Sequence, residues 1–334
     1  MKNFIPLGVV LLSVGLGIGI ITWSKHNGNS LTVSSADYRY IPPQWITYRQ
    51  IKLLEVDVHA PACFAVIDKT SFVVGEEQPP ALLFFDFNGH IVQRVPLSDK
   101  PTAVNYRNEK LTAVFADSIG IYTADGKLEK TFPLENKDMD IRSIVCTDDA
   151  VFLADTAAKR IYKYDHNGQQ IKTFGEPVVA DDETQFDGFR IYLSPITMTL
   201  SPKTGLLHIT NPGLHRIETF TPDGIYEPAL SWGYASGDLG GFAGCCNPVS
   251  LTSLDDGRIV TAEKGVSRVK IYRTDRSLDC VVAGPGVLDR YPRSVSPRPK
   301  IKPNDRNFAV SVIPNGQIAV FDYNWKLLRI MSCE

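Results

Sequence analysis

FLADTAAKRIYKY, residues 152–164, is a short apolar strand ending on an acid, Asp155, followed by a second strand ending on an aromatic, Tyr164. Four other segments share this layout: VVGEEQPPALLFF (73–85), HITNPGLHRIETF (208–220), VTAEKGVSRVKIY (260–272) and AVFDYNWKLLRIM (319–331). In each, an acid or Asn stands nine positions before an aromatic or Met, pairing Glu76 with Phe85, Asn211 with Phe220, Glu263 with Tyr272, and Asp322 with Met331. VFADSIGIY (114–122) keeps the same elements around a tighter turn, with Asp117 and Tyr122. Such self-similarity is the signature of a repeat architecture, in which each unit buries its apolar face only against its neighbours.

The turn after each second strand also repeats. Asn88-Gly89, Asp125-Gly126, Asn167-Gly168 and Asp223-Gly224 are hairpin dipeptides, and Asp275-Arg276 holds the same place in the fifth copy. Residues of the first kind tolerate the positive φ that a tight hairpin needs. Each turn leads into a further strand (HIVQRVPL, KLEKTFPL, QQIKTFG, IYEPALSWG, SLDCVVAG), and another strand precedes the pair, as in VSLTSLDDG (249–257) and FAVSVIPNG (308–316). The unit is therefore four antiparallel strands. Measured at the aromatic or Met, the copies lie 37, 42, 56, 52 and 59 residues apart, which brackets the period of propeller blades. The expected fold is an all-β, six-bladed β-propeller with four-stranded blades. The last copy ends at Met331-Ser332-Cys333-Glu334 with no room for an outer strand, so YRQIKLLEVDV (48–58) is expected to supply it. Closing the ring through an N-terminal strand removes the open edge a broken ring would leave.

The tetrad of acid or Asn, Arg-Ile or Arg-Val, aromatic and Gly turn resembles NHL repeats. It is carried by Asp155 with Arg160-Ile161 and Gly168, Asn211 with Arg216-Ile217 and Gly224, and Glu263 with Arg268-Val269. The first, second and sixth copies lack the Arg. The resemblance spans most of residues 60–331 and implies a six-bladed propeller, a fold whose NHL members include scaffolds, ligand binders and lyases. Physically, the acid at one strand end and the Arg at the next strand start are expected to meet across the turn in a charge-assisted hydrogen bond. A residue type that recurs in blade after blade serves the repeat, so Asp155, Arg160, Asn211, Arg216, Glu263 and Arg268 read as structural. The aromatic column reads as packing between blades.

Outside the repeats, the first firm feature is FIPLGVVLLSVGLGIGIITW, Phe4 to Trp23, 20 residues without a charge. As a helix that length matches the hydrocarbon core of a bilayer, with Trp23 at the interface and Lys25 beyond it. No small-residue cleavage site precedes SKHNGNS, so residues 1–24 are expected to be an uncleaved signal anchor, 25–45 a linker and 46–334 the propeller. The expectation is a single pass through the inner (cytoplasmic) membrane with the propeller on the periplasmic side. A net charge of −2 over 334 residues gives no general attraction to nucleic acid.

Function in a propeller resides in what breaks the repeat, and two insertions do so. EPVVADDETQFDGFRIYLSP (176–195) joins the third blade to the fourth, and YASGDLGGFAGCCNP (234–248) joins the fourth to the fifth. Both link an outer strand to the next inner one, which puts them on one face, over the channel mouth. Asp187, Phe189, Arg190, Tyr234, Phe242 and Asn247 are the expected ligand or partner face, for a protein or a small molecule. Asp181, Asp182, Glu183 and Asp187 make the first insertion acidic; Ca²⁺ is conceivable there, but the spacing does not match an EF-hand loop.

Cys245 and Cys246 are the candidate metal or redox pair. Thiolates select Cu(I), Zn or similar ions, but a complete site needs more ligands than two. His208 and His215, in the adjoining blade, are the candidates for further ligands. The alternative is a disulfide framework, since Cys63, Cys146, Cys245, Cys246, Cys280 and Cys333 allow up to three bridges in an exported domain. Cys63 and Cys146 fall on inner strands and read as small buried hydrophobes. No G-x-S-x-G elbow, Walker loop, H-E-x-x-H or zinc-finger spacing occurs. A metal-dependent lyase or hydrolase of the six-bladed type is the enzyme alternative, and only His59, His208 and His215 lie outside the anchor and hairpin turns.

Overall fold

In the computed structural model, residues 38–136, 138–180, 183–292 and 307–334 are described. The expected membrane helix lies outside them; among the described residues no helix is long and apolar enough to cross a membrane. One compact unit runs from Ile41 to Glu334.

That unit is a six-bladed propeller. Blade 1 is β2 (Pro61–Val66), β3 (Ser71–Glu77), β4 (Pro80–Asp86) and β5 (Ile91–Pro96), hydrogen-bonded in that order. Blade 2 spans β6 (Ala103–Arg107) to β9 (Leu128–Pro133), and blade 3 spans β10 (Ile141–Cys146) to β13 (Gln170–Phe174). A small hairpin, β14 (Val178–Ala180) with β15 (Glu183–Phe186), stands between blades 3 and 4. Blade 5 is β19 (Ser250–Ser253), β20 (Ile259–Glu263), β21 (Arg268–Tyr272) and β22 (Leu278–Ala283). The turn glycines adopt the predicted left-handed backbone, with φ of 88° at Gly89 and 86° at Gly168; Arg276 takes the same conformation at 75°.

Blade 4 departs from the expected four strands. It has β16 (Met198–Leu200), β17 (Leu207–Asn211) and β18 (Arg216–Phe220), and its outer segment touches the sheet only at isolated bridges, Phe220 with Tyr226 and Ile217 with Trp232. Between those bridges Pro228–Leu230 forms a 3-10 turn. Proline offers no N–H to a ladder, so the stretch IYEPALSWG leaves the sheet where Pro228 enters it.

Closure is as expected. Blade 6 is β23 (Phe308–Val312), β24 (Ile318–Asp322) and β25 (Leu327–Cys333), and its outer strand is β1 (Tyr48–Glu55), paired from Tyr48 with Cys333 to Glu55 with Leu327. The two ends of the unit thus lie in one sheet.

The core is divided among the blade interfaces: six apolar clusters each draw residues from two neighbouring blades. Phe85, Tyr122, Tyr164, Phe220, Tyr272 and Met331, the recurring column, each fall in a different cluster. Burying one such side chain contributes about 1.5–3 kcal/mol. The column therefore spreads stabilisation evenly around the ring, which is why the sequence repeats it.

Candidate functional site

Antiparallel order fixes which loops share a face. Each outer strand ends, and each inner strand begins, at the end of the blade that also carries the turn between its second and third strands. The chain therefore passes from blade 3 to 4, from 4 to 5 and from 5 to 6 at one face. The last step, 59 residues from Tyr272 to Met331, is the longest of the five and carries no motif that marks it in the sequence.

The recurring acid holds these connections. Glu76 Oε1 accepts the N–H of His59 at 2.6 Å, Asp155 Oδ1 that of Asp140 at 3.1 Å, Asn211 Oδ1 that of Arg190 at 2.8 Å, and Glu263 Oε2 that of Ala243 at 2.8 Å. In each case the side chain at the end of the second strand clamps the chain as it enters its own blade. In blade 6 Asn324 Oδ1 accepts the Asn307 N–H at 2.7 Å. In blade 2 the Asp117 carbonyl accepts the Leu134 N–H, on the chain leaving the blade rather than entering it.

The expected acid-to-Arg pairing holds in one blade of the three. Arg268 donates to Glu263 at 2.6 Å, and both are fully buried. Asp155 stands opposite Arg160 in the strand register, yet Arg160 turns away to Glu176 at 2.8 Å. Arg216 meets Glu218 at 3.4 Å rather than Asn211. A neutral Asn offers Arg no charge; Asp155 accepts the Ala157, Ala158 and Asp140 N–H groups through Oδ1, and its buried Oδ2 has no hydrogen-bond partner.

Blade 5 anchors the second insertion from below. Arg268 donates to the Gly237 carbonyl at 3.1 Å, and buried Lys270 donates to those of Leu239 at 2.9 Å and Gly241 at 2.5 Å while pairing with Glu263 at 2.7 Å. Burial pushes the Lys270 ammonium down to about 8, opposed by the Glu263 charge. Lys270 also lies over the rings of Phe242 and Tyr272, where a desolvated cation is attracted to the π face.

The predicted face residues accordingly separate into two groups. Asp187, Arg190 and Tyr234 are exposed, whereas Phe189, Phe242 and Asn247 are buried. Phe242 packs between Trp232 and Tyr272. Asn247 donates to the carbonyls of Ala243 and Lys264 and accepts from Lys264 N–H. These three support the face rather than present it. Tyr192 (70% exposed) and Leu193 (68%) do present it; they lie in the first insertion, and two adjacent residues of this kind carry no period that marks them in sequence.

The two insertions meet. Ser194 Oγ donates to the Cys246 carbonyl at 2.7 Å, Lys264 Nζ to the Leu193 carbonyl at 3.1 Å, and His215 Nε2 to the Gly244 carbonyl at 2.7 Å. At this junction Cys245 is exposed, Cys246 is 1% exposed, and their Sγ atoms are 2.8 Å apart. Burial pushes the Cys246 thiol up, while the Leu193 N–H and the Lys264 charge pull the other way. No group of three His, Cys, Asp or Glu suited to a metal ion occurs among the described residues. His208 is elsewhere: it sits on β17, hydrogen-bonded to Thr219.

The first strands of all six blades line a central cavity of about 320 Å³. Among the described residues its titratable lining groups are Cys63, Tyr106, Arg107, Arg142, Cys146 and Tyr323, with no His, Asp or Glu. Arg107 is paired with Asp148 and Arg142 with Asp140. Burial pushes Cys63 up to about 12 and Cys146 up to about 11, so both stay protonated thiols at neutral pH.

The fold and its loop face define a six-bladed propeller with an elaborated end. No family model matches the chain, and no curated protein matches it. Solved structures do. Virginiamycin B lyase from Staphylococcus aureus is similar over 86% of this chain and 100% of its own, at 13% identity and a TM-score of 0.57. A protein of unknown function from Bacteroides thetaiotaomicron is similar over 86% of this chain and 72% of its own, at 10% identity and 0.59. The WD40 domain of Neurospora crassa Pan2 is similar over 85% and 94%, at 10% identity and 0.54. At these identities the likeness is one of fold.

Proposed function

We propose that this protein is an NHL-type propeller, anchored in the membrane by residues 4–23 and held on the extracytoplasmic side, that binds a protein partner or small ligand on its loop face. The observation that carries the reading is the junction of the two insertions. Hydrogen bonds fix Ser194 to Cys246, Leu193 to Lys264 of blade 5 and Gly244 to His215 of blade 4, while Tyr192, Leu193 and Tyr234 are left more than half exposed. Aromatic side chains held out on a rigid base are what recognition surfaces use, because little conformational freedom is lost on binding. A lyase or hydrolase reading has less support: among the described residues the cavity lining holds no His, Asp or Glu to act as acid, base or cation ligand.

The test is site-specific photocrosslinking in cells. A photoreactive phenylalanine at Tyr192 or Tyr234 is expected to give discrete adducts, and one at exposed Val92 or Leu128, on outer strands of blades 1 and 2, is expected to give none. Equal labelling from all four positions, or none from the face, would contradict a binding role for it.

A further inference from the structure

We propose that Cys245 and Cys246 form a thiol–disulfide exchange site that closes a vicinal disulfide between them, with low-molecular-weight disulfides and thiols as its co-reactants. The two Sγ atoms are 2.8 Å apart, well inside the roughly 3.5–4.0 Å at which even the smaller carbon atoms pack and approaching the S–S bond length of about 2.05 Å. The pair is preset for bond formation by its backbone, since Cys246 is held at φ 62°, in the left-handed region that a non-glycine residue seldom adopts.

The two cysteines also differ in a way that divides the labour between them. Cys245 is exposed and meets solvent first; Cys246 is buried, with its Sγ receiving the Leu193 N–H and Lys264 close by. Burial and the Cys245 contact push the Cys246 thiol up, and the Leu193 N–H and the Lys264 charge offset part of that in favour of the thiolate, the form that reacts. At two other buried thiols burial outweighs similar neighbours, the Gly75 N–H at Cys63 and the Arg107 charge at Cys146, and pushes them up to about 12 and about 11.

A bond between them would be easily reversed. Adjacent Cα atoms are about 3.8 Å apart, below the range that ordinary disulfides span, and strained, accessible disulfides are the readily reduced ones. In the oxidising direction, the Cys245 thiolate attacks one sulfur of a small disulfide RSSR, forming Cys245–S–SR and releasing RS⁻. The Cys246 thiolate then attacks Cys245 Sγ, closing the S–S bond and releasing a second RS⁻. The two protons of the cysteine thiols leave on the two RSH molecules, so two thiols are oxidised and one disulfide is reduced. Reduction by two RSH runs the same steps backwards.

This exchange does not require the face to bind a partner, and its test is separate. The full chain is exposed to oxidised glutathione, quenched in acid, then denatured, alkylated and digested with trypsin. The peptide from Ile217 to Arg258 contains Cys245 and Cys246 and no other cysteine. Wild-type protein is expected to give this peptide two hydrogen atoms lighter and unalkylated, and dithiothreitol to restore double alkylation. Cys246→Ser is expected to retain glutathione on Cys245, and Cys245→Ser to take up none. Protection of Cys63 and Cys146 from alkylation before denaturation checks that each variant keeps its fold. Double alkylation of the wild-type peptide after glutathione treatment, or a glutathione adduct that persists on it, overturns the proposal.

Discussion

Ser194 and Cys246 are 52 residues apart in the chain, yet the hydroxyl of one donates to the carbonyl of the other at 2.7 Å with both residues buried. This bond joins the connection into blade 4 to the connection into blade 5. Together with the Leu193 N–H on Cys246 Sγ, it makes the two insertions one surface.

Ser194→Ala should therefore act on the junction more than on the ring. It leaves a buried carbonyl without its donor, at a cost of about 1–3 kcal/mol. Hydrogen exchange is expected to quicken at residues 244–247 while the inner strands of blades 1 to 3 keep their protection. Unchanged exchange at 244–247 would show that the bond does not hold the loop.

Glu263→Gln tests the base on which that surface rests. The side chain offsets two fully buried cations, Arg268 at 2.6 Å and Lys270 at 2.7 Å. Removing one member of a buried ion pair is destabilising by about 3–5 kcal/mol because the remaining charge is left uncompensated. The double variant Glu263→Gln, Lys270→Met is expected to recover part of the loss in urea unfolding, and no recovery would mean that Lys270 is not held by Glu263.

Stability should fall in mild acid through His208. Burial pushes its imidazole down to about 4, against an ordinary value of about 6.5. The unfolded chain binds the proton first, so this contribution is complete above pH 6.5 and is lost as pH falls toward 4. A shift of that size corresponds to about 3 kcal/mol at its limit. His208→Gln is expected to flatten the decline of the urea midpoint between pH 7 and pH 4.5; an unaltered slope would contradict a buried neutral imidazole.

Gly75 is a packing position rather than a turn. A Cβ there would stand 2.8 Å from Pro101 Cγ and closer still to the Cys63 sulfur. Gly75→Ala is expected to destabilise by about 1–3 kcal/mol through overpacking, and adding Cys63→Ala to restore part of it. Equal stability of the single variant and wild type in thermal unfolding would show that the inner strands of blades 1 and 2 yield.

The repeat, the blade count and the closing strand are legible in the sequence because each depends on local spacing. Asp155 and Tyr164, or Glu263 and Tyr272, are nine residues apart wherever the same hairpin is built, and β1 is identifiable because the last copy lacks an outer strand. The outer segment of blade 4 is not legible in the same way: IYEPALSWG has a strand's composition, and only the structure shows Pro228 outweighing it. The role of the acids is half visible. Their recurrence marks them as structural, but the N–H groups they hold lie 15 to 21 residues upstream in loops of unequal length, where no period points.

The face residues show the same limit. Phe189, Phe242 and Asn247 stand in insertions and so look like contact residues, but Phe189 packs into the core between blades 3 and 4, Phe242 into that between blades 4 and 5, and Asn247 is tied to Ala243 and Lys264. Sequence alone determined that Cys245 and Cys246 are adjacent and that they interrupt the repeat. Only the tertiary structure decided that one is exposed and the other buried, that Lys264 and Leu193 stand beside the buried one, and that their sulfurs nearly touch. The burial and the neighbours come from contacts between the insertions at blades 4 and 5, segments far apart in the chain, which no local pattern records.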